Sequence, residues 1–299
     1  MQGLLLALAA YTIWGCFPLF FNLLSQVPSF EVLVHRIIWS FVATTIVILM
    51  LRRLSTLTTL LRDKRALGWL MLSSLLIATN WLIFIWAVSQ QRVLESSLGY
   101  FMTPLVSLFL GRIILKESMH PLQAIAGALA AVAVLLELIM LGKLPWISLT
   151  LALSFGFYGL VRKQQPVDSL NGLTVETLLI LPLALGWILW QLQTGRSMAF
   201  FSGNTLSTSL MIMSGIVTAV PLLLFAAAAK RLDLSVVGFI MYLNPTLQFL
   251  IAVFIFNESY PPQRLITFIL IWIAMGFFLY GLWQSRKSTK MRDISEGKI

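Results

Sequence analysis

Charge is scarce in this sequence. Asp, Glu, Lys and Arg make up 11% of its 299 residues, whereas a soluble globular domain carries about 25%. No water-facing surface can be built from so few charges, which excludes a soluble protein. Acidic residues are the scarcer sign, 11 against 21 basic ones, for a formal net charge of +10. In so apolar a chain that excess orients helices and is not a signal for a nucleic-acid partner. Cysteine occurs once, at Cys16, so an intramolecular disulfide and a cysteine metal cluster are excluded. The two histidines, His35 and His120, cannot build a zinc site by themselves. The first residues, MQGLLLALAAY, lack a basic leader, so the first apolar run reads as a retained helix and not as a cleaved signal peptide. Nucleotide and hydrolase signatures are missing as well: there is no G-x-x-x-x-G-K-[ST], no H-E-x-x-H and no G-x-S-x-G. No cofactor or metal is expected.

What fills the chain is hydrophobic residues, 59% of the total, with a mean hydropathy of +0.91. A spanning helix needs roughly 20 mostly apolar residues. Ten such segments fit: 3–24, 31–51, 66–88, 95–115, 121–141, 145–163, 172–192, 207–229, 234–256 and 262–283. Alternating strands of the barrel kind are absent, so the expected class is an all-α polytopic membrane protein. Placing the loop with Arg52, Arg53, Arg62, Lys64 and Arg65 in the cytoplasm puts sixteen basic residues on that side. Four remain outside: Arg92, Lys143, Arg196 and Arg264. Both termini are then cytoplasmic.

A repeat organises the ten segments. The stretch 94–117, LESSLGYFMTPLVSLFLGRIILKE, has an echo at 235–258, SVVGFIMYLNPTLQFLIAVFIFNE. Pro104 falls on Pro245 and Glu117 on Glu258; the same offset pairs Gly15 with Gly156 and Trp14 with Phe155. This predicts a duplicated five-helix unit, 1–142 and 143–284, followed by a basic cytoplasmic tail, 285–299. Five is odd, so the second unit is inserted upside down. Inverted repeats recur in secondary transporters, with the substrate site near the midplane between them.

Candidate site residues follow from that frame. Pro104 and Pro245 free the carbonyls of Tyr100 and Met241, which must be met by protein or by a water-filled path. They read as paired bends lining a transport path, or as tolerated kinks. Tyr100, Thr103, Tyr242 and Asn244 offer polar groups beside them. Asn80 is mid-span and must bond another helix or a ligand. Trp14 and Trp81 are too deep for interface anchors; they wall a cavity or fill the bundle. Glu31 and His35 are four apart on one helix face, and Arg36 follows. Charges this far into a span point to function, and a histidine suits proton binding; a local polar cluster that fixes the helix is the other reading. Glu176 stands at the repeat position of His35. A carboxylate favoured by a helix N-terminus explains it more simply. Glu117 and Glu258 end their helices and read as a gate or clasp, or as solvated helix ends.

Several of these residues lie in recognisable motifs. Y-x-x-W-G-x-x-P begins at Tyr11, H-R-x-x-W-S spans His35–Ser40 and N-W-L-x-F-I-W-A-V spans Asn80–Val88. S-L-G-Y-F follows at Ser97–Phe101 and F-Y-G-L-V-R-K at Phe157–Lys163. Together they resemble the RarD branch of the EamA family, in the drug/metabolite transporter superfamily. The resemblance covers nearly the whole chain. It implies ten helices in two inverted repeats and a transporter of the bacterial inner membrane, and it supplies no substrate and no set of binding residues. The expected function is alternating-access transport of a small metabolite or drug-like molecule, driven by a gradient, with protons the first choice of coupling ion. The partners are that small molecule, protons and the lipid bilayer, with a second copy of the chain as a further candidate. A non-transporting accessory subunit and an intramembrane enzyme are the alternatives.

Overall fold

The protein, described by a computed structural model, is followed over residues 2–116, 121–141, 144–165, 167–229, 231, 240–259, 262 and 264–295. Among the described residues all regular structure is helical. The helices are α1 (Gln2–Gly15), α2 (Phe17–Asn22), α3 (Ser29–Met50), α4 (Leu54–Arg62), α5 (Lys64–Ser89) and α6 (Val93–Ile114). They continue with α7 (Pro121–Leu141), α8 (Trp146–Lys163), α9 (Ser169–Gln193), α10 (Thr205–Ala229), α11 (Leu243–Leu250) and α12 (Arg264–Ser295). A short 3-10 turn, Ala199–Phe201, joins α9 to α10, and a π-helical turn, Ile251–Ile255, prolongs α11. Among the described residues six stretches have the length and apolarity to cross a bilayer: Gln2–Asn22, Ser29–Met50, Lys64–Ser89, Val93–Ile114, Ser169–Gln193 and Thr205–Phe225. Shorter apolar stretches lie at Ala124–Ala133, Leu243–Ile255 and Leu265–Gly281.

Local chemistry explains the helix ends. The Asp63 carboxylate accepts from the amides of Arg65 and Ala66 at 2.9 and 3.0 Å and so starts α5. Asp168 does the same for α9 through Leu170 and Asn171, both at 3.1 Å. Lys116 and Asn257 follow α6 and the π turn in left-handed backbone, with φ of 55° and 50°. They are separated along the chain as Pro104 and Pro245 are.

Four features differ from the sequence reading. The first expected span breaks at Cys16, because Pro18 has no N–H for the Trp14 carbonyl and restarts the chain in the first turn of α2. The 2–3 loop contains a helix, α4, with Leu57 buried and most other side chains exposed. Helix α12 runs on through 284–295 into the stretch read as tail. The two prolines are also not equivalent. Pro104 sits well inside the continuous α6, whereas Pro245 stands in the first turn of α11, after a turn at Tyr242. In a first turn the missing N–H leaves little unpaired.

Helix α1 packs on α10 and α11, and α8 packs on α5 and α6. Helix α3 packs on α10 as α9 does on α5. Contacts also join α3 with α9, α6 with α11, and α7 with α12. Glycine permits several of these approaches, two of them related to each other. A Cβ at Gly15 would stand 2.7 Å from Leu247, and one at Gly156 would stand 2.6 Å from Val106. Val106 and Leu247 are themselves related by the repeat offset, as Gly15 and Gly156 are. One large cluster, with Phe21, Val32, Phe101, Leu151, Met211 and Ile271 in it, fills the centre.

Candidate functional site

The buried polar side chains gather into separate centres. In the first, Glu31 accepts the backbone N–H of Phe200 at 2.9 Å. His35 stacks on the Phe200 ring, 4.1 Å between centroids and 14° from parallel. Among the described residues neither ring nitrogen of His35 has a hydrogen-bond partner. The spacing of Glu31 and His35 suggested that they engage each other. They share a face, but the turn Ala199–Phe201 covers that face and takes both groups.

Arg36 lies around the helix from them and does not complete one local cluster. Its Nε donates to Thr218 Oγ1 at 3.0 Å. Its guanidinium carbon stands 4.2 Å from the Trp81 ring centroid, 5.0 Å from Phe21 and 5.4 Å from Phe17. Neighbouring positions on a helix point about 100° apart, so His35 and Arg36 meet different walls.

The second centre is built on Glu176. It is fully buried, two turns into α9. Ser73 Oγ donates to Oε1 at 2.6 Å and Tyr158 OH to Oε2 at 3.3 Å. Arg162 forms an ion pair with it at 3.6 Å. The same guanidinium donates to the carbonyls of Val167 and Asp168 at 3.3 and 3.2 Å. Gly172 makes this possible: a Cβ there would collide with the Arg162 guanidinium. The helix-terminus explanation of Glu176 therefore gives way to a side-chain network from α5 and α8. Ser73, Tyr158 and Arg162 escaped the sequence reading. The available signal was the spacing of Tyr158 and Arg162, four apart on one face.

The third centre is Asn80. Its amide donates to Leu151 O at 3.1 Å and Ser154 Oγ at 3.0 Å, and its carbonyl accepts from Tyr100 OH at 2.9 Å. One side chain on α5 thus ties α6 and α8. Tyr100 packs on Phe84, which packs on the Phe21 ring under Arg36, and Trp81, which follows Asn80 in sequence, lies under the same guanidinium. Asn80, Trp81, Tyr100 and Arg36 therefore occupy one region. Trp14 is elsewhere, against Tyr11 at 5.3 Å and Phe225 at 5.9 Å.

Around the second proline, Ser97 Oγ donates to the Pro245 carbonyl at 2.8 Å. Gln248 donates to Asn244 Oδ1 at 2.8 Å and lies 3.3 Å from Ser96 Oγ. Gln248 was another residue missed, although one amide in PTLQFLIAVF was visible. Tyr242 stacks on Phe101 at 6.4 Å, and among the described residues its buried hydroxyl has no hydrogen-bond partner. Thr103 bonds back to Gly99 of its own helix at 3.2 Å. Glu258 accepts from the amides of Val93 and Leu94 at 2.6 and 2.8 Å, capping α6. Glu117 lies outside the described residues. Two cavities lie at helix ends. One of about 320 Å³ adjoins Gln91, Glu95 and Glu258, and one of about 500 Å³ lies between α4 and the start of α9, by Thr59, Gln165 and Asn171.

Apolar helices long enough to span a bilayer, with ionisable groups buried between them, define a multi-pass membrane protein. Residues 1–139 match the EamA-like transporter family. Protein RarD of Escherichia coli is 43% identical over 291 residues, 97% of this chain and 98% of its own. An uncharacterized transporter of Pseudomonas aeruginosa is 43% identical over 284 residues, 95% of each chain. The chloramphenicol-sensitive protein RarD of the same organism is 34% identical over 278 residues, 92% of each. A solved crystal structure with 16% identity shares the fold, with a TM-score of 0.59 over 95% of this chain and 98% of its own. The class is thus a multi-pass bacterial membrane protein related to transporters. The chain belongs to the EamA-like transporter family, in the RarD branch of the drug/metabolite transporter superfamily.

Proposed function

We propose that the protein is a secondary transporter of the bacterial inner membrane that moves a small metabolite or drug-like molecule by alternating access, and that it is not an enzyme. The observation that carries this reading is the pairing of buried centres. His35 and Glu176 are separated along the chain by the same offset as Pro104 and Pro245, and each is buried in the bundle. Such groups are costly in a bilayer and are kept for ligand or ion handling. The recurring contacts α1 on α10 and α8 on α5 are what two inverted units would make, and the bias of basic residues favours cytoplasmic termini.

Topology and flux test it together. Thr59→Cys and Ser202→Cys, each in a Cys16→Ala background, occupy the matching loops of the two units. Ser202→Cys should label from outside and Thr59→Cys from inside; labelling of both from one side would remove the inverted repeat. Purified protein in liposomes should exchange small metabolites drawn from a cell extract. Liposomes no leakier than protein-free controls, across the extract, would remove transport. Proton coupling rests on His35, whose ring nitrogens have no partner among the described residues. His35→Gln should retain exchange and lose pH-driven uptake; equal proton movement in both proteins would return His35 to a structural role.

A further inference from the structure

We propose that Arg36 is the anchor for an anionic substrate group, and that the molecule carried is a small organic acid whose carboxylate sits on this guanidinium. The proposal rests on the transport reading above and adds the chemical class of the cargo.

Arg36 is 3% exposed, and among the described residues no carboxylate forms an ion pair with it. Glu31, the acidic residue nearest in sequence, is held by the Phe200 amide. The half-buried Arg162 contrasts with it: it has Glu176 at 3.6 Å and two carbonyls besides. The Glu176 centre thus contains its own counter-charge, while the Arg36 centre, among the described residues, holds a positive charge without one.

The donors of Arg36 are also incompletely used. Nε donates to Thr218, but Nη1 is buried with no hydrogen-bond partner among the described residues. A guanidinium is a planar fork that matches a carboxylate in bidentate fashion. The Asn80 amide and Tyr100 hydroxyl are bonded to one another, and neither is a partner of Nη1. Phe17, Phe21 and Trp81 present ring faces to the cation at 5.4, 5.0 and 4.2 Å. Rings stabilise a cation without neutralising it, and they offer an apolar surface to the rest of a ligand. A structural clip between α3 and α10 needs only the bond from Nε to Thr218. It explains neither the unused Nη1 nor the missing counter-charge.

The test uses the full-length protein purified in detergent, with three acids and their uncharged amides as probes. The pairs are benzoate and benzamide, phenylacetate and phenylacetamide, hexanoate and hexanamide. Binding is read by calorimetry and by thermal shift. At least one acid should bind about tenfold more tightly than its amide, the size of a charge-assisted hydrogen bond. Arg36→Gln should abolish that preference. Arg36→Lys, which keeps charge and bulk, should retain it in weakened form, and Thr218→Val, which removes only the clip, should leave it in place. Equal binding of acids and amides, no acid binding across the panel, or a preference that survives Arg36→Gln would each overturn the proposal. Liposome flux separates this from the transport reading. Exchange of an uncharged solute, unchanged by Arg36→Gln, overturns the anion anchor and leaves transport standing. An intact acid preference without any flux does the reverse.

Discussion

Adding one methyl group at Gly172 should destabilise this protein, although alanine is the better helix former. In an exposed helix interior, glycine to alanine gains about 0.5–1 kcal/mol. At Gly172 the new Cβ would occupy the place of the Arg162 guanidinium. The obstacle is the far end of a flexible side chain, so relieving the collision costs little by itself. The cost is what Arg162 leaves behind: Glu176, fully buried, with only Ser73 and Tyr158 as donors. Breaking a buried ion pair by removing one partner costs about 3–5 kcal/mol. Subtracting the helix gain leaves a net loss of roughly 2–4 kcal/mol for Gly172→Ala. The assay is thermal unfolding in detergent of wild type, Gly172→Ala, Arg162→Ala and the double variant. Once Arg162 is gone, the added methyl is relieved of that collision, so Gly172→Ala in that background should be neutral or stabilising. The sign of its effect should therefore reverse. A Gly172→Ala protein as stable as wild type, or equal effects in both backgrounds, would refute the placement of Arg162 over Gly172.

Three further outcomes follow from named contacts. Asn80→Leu removes the bonds to Leu151, Ser154 and Tyr100; it should cost about 1–3 kcal/mol, the penalty of an unpaired buried group, and an unchanged melting temperature would show the amide to be dispensable. Glu258→Ala uncaps α6 at Val93 and Leu94, at a cost of about 1 kcal/mol. Hydrogen exchange of those two amides should accelerate while that of α5 does not; a uniform change would deny the cap. At Asp168, partial burial raises the carboxyl pKa, but the Asn171 side chain, the amides of Asn171 and Leu170 and the charge of Arg53 outweigh it, so the net shift is downward. A depressed folded pKa adds stability that is complete above the unfolded value and is lost as pH falls through the folded one. The wild-type advantage over Asp168→Asn should thus shrink below about pH 4, and an advantage that is flat with pH would contradict the shift.

The helical class and the family were legible because they rest on local signals: long apolar runs, scarce charge and short motifs. What stayed hidden depends on residues distant in sequence. Nothing within a turn of His35 announces that Phe200 will stack on it. Glu176 sits near enough to the start of its helix to suggest a dipole role, whereas its partner Ser73 comes from α5, 103 residues earlier. Pro245 looked like the twin of Pro104 because an alignment of letters does not show where a helix begins. Helix α4 was passed over because nine residues with one buried leucine give too brief a pattern. The π turn Ile251–Ile255 has no signature at all among aliphatic neighbours.

The notch at Gly15 has a bearing on the order of assembly. Leu247, which fills it, leaves the ribosome only after most of the chain has followed Gly15 out. At synthesis rates of about 5–20 residues per second that is an interval of roughly 10–50 seconds. During it α1 stands in the bilayer without α10 or α11, the helices it packs on. Its exposed small-residue face is then open to lipid or to another nascent chain. Gly156 meets no such delay, because Val106 was made before it. Helix α1 therefore finds its place only after α10 and α11 are made. Docking of α1 has to wait for α10 and α11, and a pause in translation anywhere between Gly15 and Leu247 should lengthen the time for which that face stays open.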